Sequence, residues 1–209
     1  MDPDGYCALP RGRHRLSREE VSASQRERLL AAMTQSVGVK GYARTSVADV
    51  LKLAHVSRET FYVHFADKQA CFLSAYAATA DRIVAVVDEA LRGDGLPLMQ
   101  RFERGLLAYL GELAADAART RTFLLEVYAA GPAAAALRFA VQTRFTELLD
   151  GLLEEDERFR ALPDPEFACR MLVGGVGSLV TGKVVMGECA TLPGLSAPIL
   201  AHVRSILER

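Results

Sequence analysis

Apolar residues recur along most of this chain at the three- and four-residue spacing of amphipathic helices, and no stretch worth defending alternates with the two-residue period of a half-buried strand. Leu29, Leu30, Met33 and Val37 mark the first helical face, with Ser22 or Ser24 as the expected N-cap and Gly41 as the glycine that ends it after Lys40. Thr45 or Ser46 caps a second helix whose face is Val47, Val50, Leu51 and Ala54. After a break at His55-Val56, Ser57 caps a third helix running to about His64. Asp67 caps a fourth, which carries Phe72, Leu73, Tyr76, Ile83, Val84, Val87 and Leu91.

The stretch from Arg92 to Pro97 is a break, and four more helical patterns follow at roughly 98–115, 118–130, 132–155 and 164–188. Gly131-Pro132 and Pro163-Asp164-Pro165 punctuate them. A loop is expected from Thr191 to Pro198 and a last short helix from Ile199 to Leu207. The fold class expected is all-α. Its organisation is a basic arm at 1–21, a three-helix unit with a helix-turn-helix at 22–70, and a further helical domain at 71–209.

Composition sharpens this only in places. The 209 residues suffice for a proper core, and half of them are hydrophobic. No apolar run approaches the ~20 residues of a membrane span, and the N-terminus lacks the apolar region of a signal peptide. The four cysteines show no metal-ligand or paired spacing, so neither metal nor cofactor is expected, and a reducing cytoplasm is the simplest compartment. Charge is uneven: residues 1–70 carry 11 Lys and Arg against 8 Asp and Glu, whereas residues 71–209 carry 14 against 18. That bias fits an anion-binding N-terminal part. Arg11, Arg13, His14, Arg15 and Arg18 make the arm basic, either as a solvated tail or as a segment laid on phosphates.

The third helix carries the chemistry. In VSRETFYVHF, Val56 to Phe65, the rings of Phe61 and Phe65 sit four apart and would anchor the helix. Ser57, Arg58, Glu59, Thr60, Tyr62 and His64 are left to face elsewhere. Two helices joined by a short turn at Leu53–Val56 make a helix-turn-helix, whose second helix enters the DNA major groove. Arg58 can reach guanine, hydroxyls can donate to phosphate oxygens, and Glu59 either orients Arg58 or accepts from cytosine.

From Gly41 to Tyr76, GYARTSVADVLKLAHVSRETFYVHFADKQACFLSAY, the chain resembles the TetR family of bacterial transcriptional regulators, in an actinobacterial type. The resemblance implies phosphate contacts by the cap of the second helix (Thr45 or Ser46), base contacts by Arg58, Glu59 and Thr60, and backbone contacts by Tyr62, His64 and Lys68. His55 stands where members often have glycine, so a turn with positive φ is expected there. The resemblance further implies a homodimer on a palindromic operator of double-stranded DNA, released by a small-molecule effector, with no membrane partner.

For dimerisation, Gly174, Gly175 and Gly177 with Val180 and Val184 on one helix, and Ile199 and Val203 on the last, are the expected contacts. Helical glycines cost about 1 kcal/mol each, which close approach of a second helix would offset. For the effector, Phe102, Tyr109, Phe123, Val127, Tyr128, Phe145 and Met171 are the candidate lining, with Glu126, Gln142 and Arg144 as further polar groups. The effector is expected to be largely apolar and the protein a repressor. An activator, or a helical interaction protein without operator binding, stays open as the alternative. No nucleophile elbow, phosphate loop or HExxH motif supports an enzyme.

Overall fold

The computed structural model describes residues 17–93 and 95–207, and the basic arm up to residue 16 lies outside them. Among the described residues every regular element is helical. The helices are α1 (Arg18–Lys40), α2 (Val47–Ala54), α3 (Arg58–His64), α4 (Lys68–Leu91), α5 (Leu98–Ala114), α6 (Ala117–Leu124), α7 (Pro132–Leu153), α8 (Glu157–Arg160), α9 (Pro165–Val185) and α10 (Ser196–Leu207).

α1 starts earlier than Ser22. Ser17 and Glu20 form a reciprocal capping box: Ser17 N donates to Glu20 Oε2 at 2.6 Å, and Glu20 N donates to Ser17 Oγ at 3.1 Å. Two orphan donors are satisfied at once, so the helix gains more than one turn over the Ser22 start. Arg18 is therefore helical rather than part of an arm. At the other end Gly41 takes φ +83°, and its N–H closes on Val37 O at 2.8 Å.

Further along, the pattern read as one helix over 118–130 divides. α6 stops at Leu124 and a 3₁₀ segment, Glu126–Ala130, follows. A one-turn α8 interrupts the expected loop after α7. The loop expected at 191–198 is a 3₁₀ segment, Cys189–Leu195, that runs directly into α10 at Ser196.

One hydrophobic core runs through the protein, from Leu29 and Met33 in α1 through Phe61, Phe65, Phe72 and Tyr76 to Leu110, Phe123, Val180 and Val203. α4 is its spine, packing against α1 on one side and α5 and α7 on the other. Two helices, α4 and α9, are long and apolar enough to cross a membrane by length and composition, contrary to the reading that no such run exists. Their few charges are spread along an otherwise apolar length, which hides the run from a residue-by-residue reading. In α4 those charges are paired: Asp81 accepts from Arg144 on α7 at 2.7 Å, and Arg82 reaches Glu112 on α5 at 2.8 Å.

Cys71, Cys169 and Cys189 are buried free thiols. Burial pushes Cys71 and Cys169 up to about 12, which keeps them protonated and unreactive.

Candidate nucleic-acid interface and effector cavity

α2 and α3 are set by local chemistry. Ser46 caps α2 in a second capping box, with Asp49 accepting from Ser46 N at 2.9 Å. Lys40 Nζ reaches the same carboxylate at 2.5 Å. The Lys40 hydrogen bond and those from Ser46 hold the Asp49 carboxyl well below the usual carboxylate range. His55 ends α2 in the left-handed region, φ 52° and ψ 47°, and is the one non-glycine at positive φ among the described residues. The residue in the turn thus accepts the conformation that glycine would take without cost. Arg28 of α1 donates to Ala54 O at 3.2 Å and fixes the end of α2.

Phe61 and Phe65 are buried with ring centroids 5.8 Å apart, and Arg26 of α1 lies over the Phe65 ring at 5.5 Å. That anchoring leaves Arg58, Glu59, Tyr62 and Val63 exposed on the opposite face. Arg58 leans on the Tyr62 ring at 5.6 Å and donates to its hydroxyl at 3.4 Å. Val63 is 75 % exposed and was not among the residues singled out from the sequence. Its position four residues after Glu59, away from Phe61, was the signal that could have found it. Ser57 caps α3, its hydroxyl taken up by Thr60 N at 3.0 Å and Thr60 Oγ1 at 2.9 Å.

Three residues expected at DNA are placed otherwise. Thr45 is buried and donates its hydroxyl to Gly41 O at 2.9 Å, so Ser46 alone is left at the surface of that cap. Lys68 Nζ donates to Tyr42 O at 3.0 Å and Thr45 O at 3.1 Å and sits 4.1 Å from the Tyr42 ring centroid. It ties the start of α4 to the turn before α2. His64 turns toward the first turns of α1, lining a groove with Arg18, Ser22 and Arg26 while its Nε2 is buried without a partner.

A second site lies between α4, α5, α7 and α9. It is a cavity of about 90 Å³ with an almost wholly apolar wall, in which Tyr109, Arg138 and Gln142 are the polar groups. Phe102, Tyr109 and Phe145 of the expected set line it, with the Tyr109 and Phe145 rings edge to face at 5.4 Å. Phe123 and Val127 do not: both are buried in the core. Tyr128 and Met171 do not either, being 59 % and 61 % exposed. Glu126 instead accepts from Tyr42 N at 2.8 Å, and Arg144 pairs with Asp81. Arg138 was missed because a lone arginine in a helix reads as a solvated charge.

Residues 29–75 match the model of the bacterial regulatory proteins of the tetR family. This segment is a tetR-family domain. Solved structures of regulators share the fold of nearly the whole chain. FadR of Bacillus halodurans, a fatty acid degradation regulator, is 22 % identical with a TM-score of 0.75, covering 87 % of this chain and 97 % of that one. FadR of Bacillus subtilis, in complex with stearoyl-CoA, is 17 % identical with a TM-score of 0.73, covering 84 % and 95 %. SmeT, the repressor of the Stenotrophomonas maltophilia multidrug efflux pump SmeDEF, is 20 % identical with a TM-score of 0.67, covering 84 % and 86 %. Among curated proteins none matches the chain.

The tetR-type helix-turn-helix therefore sits on a helical body, and the body shows one large apolar face. Along α9, Phe167, Met171, Leu179, Val185 and Met186 are exposed, with Gly174, Gly175 and Gly182 between them. A Cβ added at any of those three glycines would meet nothing within 4 Å. The other residues expected at a dimer contact lie inside the protomer. Val180 and Val184 are fully buried, Ile199 and Val203 nearly so, and Gly177 lines the cavity. They cover the core side of α9 and α10.

Proposed function

We propose that the chain is a ligand-responsive transcriptional regulator of the TetR type. A homodimer binds a palindromic operator in the cytoplasm and represses transcription until a small effector enters the cavity of each protomer. The observation that carries this reading is the face of α3. Arg58, Glu59, Tyr62 and Val63 stand free of the core on the helix that a tetR-family domain offers to DNA. Arg58 supplies donors for guanine O6 and N7, Val63 an apolar contact for a thymine methyl, and Tyr62 a hydroxyl for phosphate. Ser46 and Ser57 cap the two helices at the same surface.

The open glycine and methionine stripe of α9 supports the homodimer. Glycines there let a second helix approach closely, and burial of Met171, Leu179 and Met186 would stabilise the pair. Two α3 helices about 34–36 Å apart would then read successive major-groove faces.

The test is selection of bound fragments from the source genome by the purified chain, at two salt concentrations. An inverted repeat that survives the higher salt supports the reading. Binding that is indifferent to sequence and vanishes with salt is phosphate contact alone and refutes it.

A further inference from the structure

The wall of the cavity carries one charge, and among the described residues no acidic side chain pairs with it. Arg138 is 6 % exposed, and no acidic side chain lines the cavity with it. Among the described residues it makes no ion pair, and its Nε is buried without a hydrogen-bond partner. The guanidinium lies 5.7 Å from the centroid of the Phe123 ring. Beside it lies the buried hydroxyl of Tyr76, near enough for the guanidinium to act on it. Burial drives the Tyr76 phenol upward, and the Arg138 charge pulls it partly back. Tyr109 is shifted in the same way by the same two causes.

An arginine does not escape such a place by losing its proton, because its pKa lies far above neutrality. A buried cation without a partner is strongly unfavourable, so a protein that keeps one has a use for it. Here the surroundings are arranged around the fork. Gln142 follows Arg138 by one helical turn, so the amide and the guanidinium share a face of α7. Opposite them Gly177 of α9 has no side chain, and a Cβ there would stand 3.9 Å from the guanidinium. The rest of the wall is apolar, including Leu149, Leu172, Val173 and Val176.

We propose that Arg138 is the receptor for an anionic head group, and that the effector is an amphiphile with one carboxylate on an apolar body. This deepens the regulator reading and rests on it only for the word effector. A single guanidinium in an otherwise neutral wall balances a single negative charge. Its planar fork matches a carboxylate with two parallel hydrogen bonds. Gln142 and the Tyr109 hydroxyl line the same cavity and supply further donors. Ligand cavities commonly span about 300–1,000 Å³, so the 90 Å³ found here belongs to a contracted state that a ligand must widen.

The experiment uses the full chain without DNA. Calorimetric titration compares straight-chain alkanoates of six to twelve carbons with the matched primary alcohols, methyl esters and coenzyme A thioesters. Alkanoates are expected to bind at least about tenfold more tightly than the alcohols and esters of equal length, as a charge-assisted pair requires. Arg138→Gln should erase that preference, and Arg138→Lys should keep part of it. Equal affinity of alkanoate and alcohol in the unaltered protein overturns the proposal, and this comparison does not depend on any variant folding. So does a preference that survives Arg138→Gln, or an absence of alkanoate binding at every length. Thioesters that bind where alkanoates do not also overturn it, and assign the cation to a phosphate. Operator selection is scored separately: alkanoate binding without operator binding leaves the assignment of Arg138 standing and removes the regulator reading.

Discussion

Gly38 packs α1 directly against the backbone of α6, and replacing it with alanine tests how the two are joined. It lies in α1, where glycine is a poor residue. On helix propensity alone the change to alanine would stabilise by about 1 kcal/mol. The structure argues the opposite. A Cβ at Gly38 would stand 2.2 Å from Ala118 O and 2.5 Å from Ala118 C, and backbone cannot rotate away as a side chain can. Overpacking of this kind costs about 1–3 kcal/mol. Moving α6 outward would also stretch two hydrogen bonds that cross the seam, Thr122 Oγ1 to Thr34 O at 2.9 Å and Arg121 Nε to Gly38 O at 3.3 Å. Each contributes about 0.5–1.5 kcal/mol. The net expectation for Gly38→Ala is a loss of roughly 2–4 kcal/mol, after the propensity gain is taken off. For a chain of this size that lowers the melting temperature by roughly 5–15 °C. Gly111 in α5 is the control, since a Cβ there meets nothing within 4 Å, and Gly111→Ala should stabilise by about 0.5–1 kcal/mol. Denaturant unfolding of both variants decides the matter. If Gly38→Ala is as stable as the unaltered protein, the seam is not the tight junction described here.

Three further outcomes follow from the same geometry. Arg58→Ala should weaken operator binding by about 1–3 kcal/mol and relax preference at its base pair, whereas Val63→Ala should lose about 1 kcal/mol only on sites with a thymine beneath it; competition binding with single-base operator variants separates the two. Lys68→Met should destabilise the fold by about 1–3 kcal/mol through its two carbonyl bonds, with the salt slope of DNA binding unchanged; a slope reduced by about 0.9 would make it a phosphate contact instead. Hydrogen bonds from Arg158 hold the Asp156 carboxyl down at about 2, and the Lys40 bond holds Asp49 low as well. Both are depressed in the folded state, so their contribution is complete above about pH 4 and drains away as pH falls through the folded values. Urea unfolding across that range should show the decline at the acid end only.

Much of this fold was legible because helix ends are written locally. Ser46 with Asp49, Ser57 before Arg58, Asp67 before Lys68 and Gly41 after Lys40 each signal a boundary within a few residues. The left-handed turn at His55 is expected from the resemblance instead, because members often have glycine there. Ser17 with Glu20 carries an equally plain signal, yet it follows a run of arginines and prolines that reads as an arm. The split of the sixth pattern into α6 and a 3₁₀ segment is not written locally. Leu124 and Val127 keep helical spacing, and it is the pull of Tyr42 and Gln69 on Glu126 and Ala130 that goes with the tighter winding.

The sites were less legible than the fold, and the reason is general. Spacing identifies an apolar face but not what covers it. Val180 and Val184 are one turn apart, as are Ile199 and Val203, and each pair proved to face the core of its own protomer. On α9 apolar residues occur nearly all round, so both faces look alike until the helix is docked. The same blindness hid Arg138, whose burial depends on three helices remote in sequence.

How a ligand at Arg138 could reach DNA then turns on which attachments hold the two parts together. α4 runs from Lys68, at the turn before α2, to Val87 and Leu91 in the cavity wall, about 30 Å away along the helix axis. The second attachment is the segment from α6 through its 3₁₀ continuation, which grips α1 and the start of α4 through Thr122, Arg121, Glu126 and Ala130. The two meet where Tyr76 of α4 stacks on Phe123 of α6 at 5.0 Å, and Arg138 lies over that same Phe123. A close-packed interior does not absorb a displacement locally. On this reading an effector that draws the guanidinium toward its carboxylate takes it from Phe123, loosening the stack that clamps α6 to α4. Widening the cavity meanwhile pushes on Val87 and Leu91. Tyr76 lies near the middle of α4 and Val87 and Leu91 at its far end, so both effects bear on that one helix. How far they move it is set by the difference in effector affinity between the contracted and widened states.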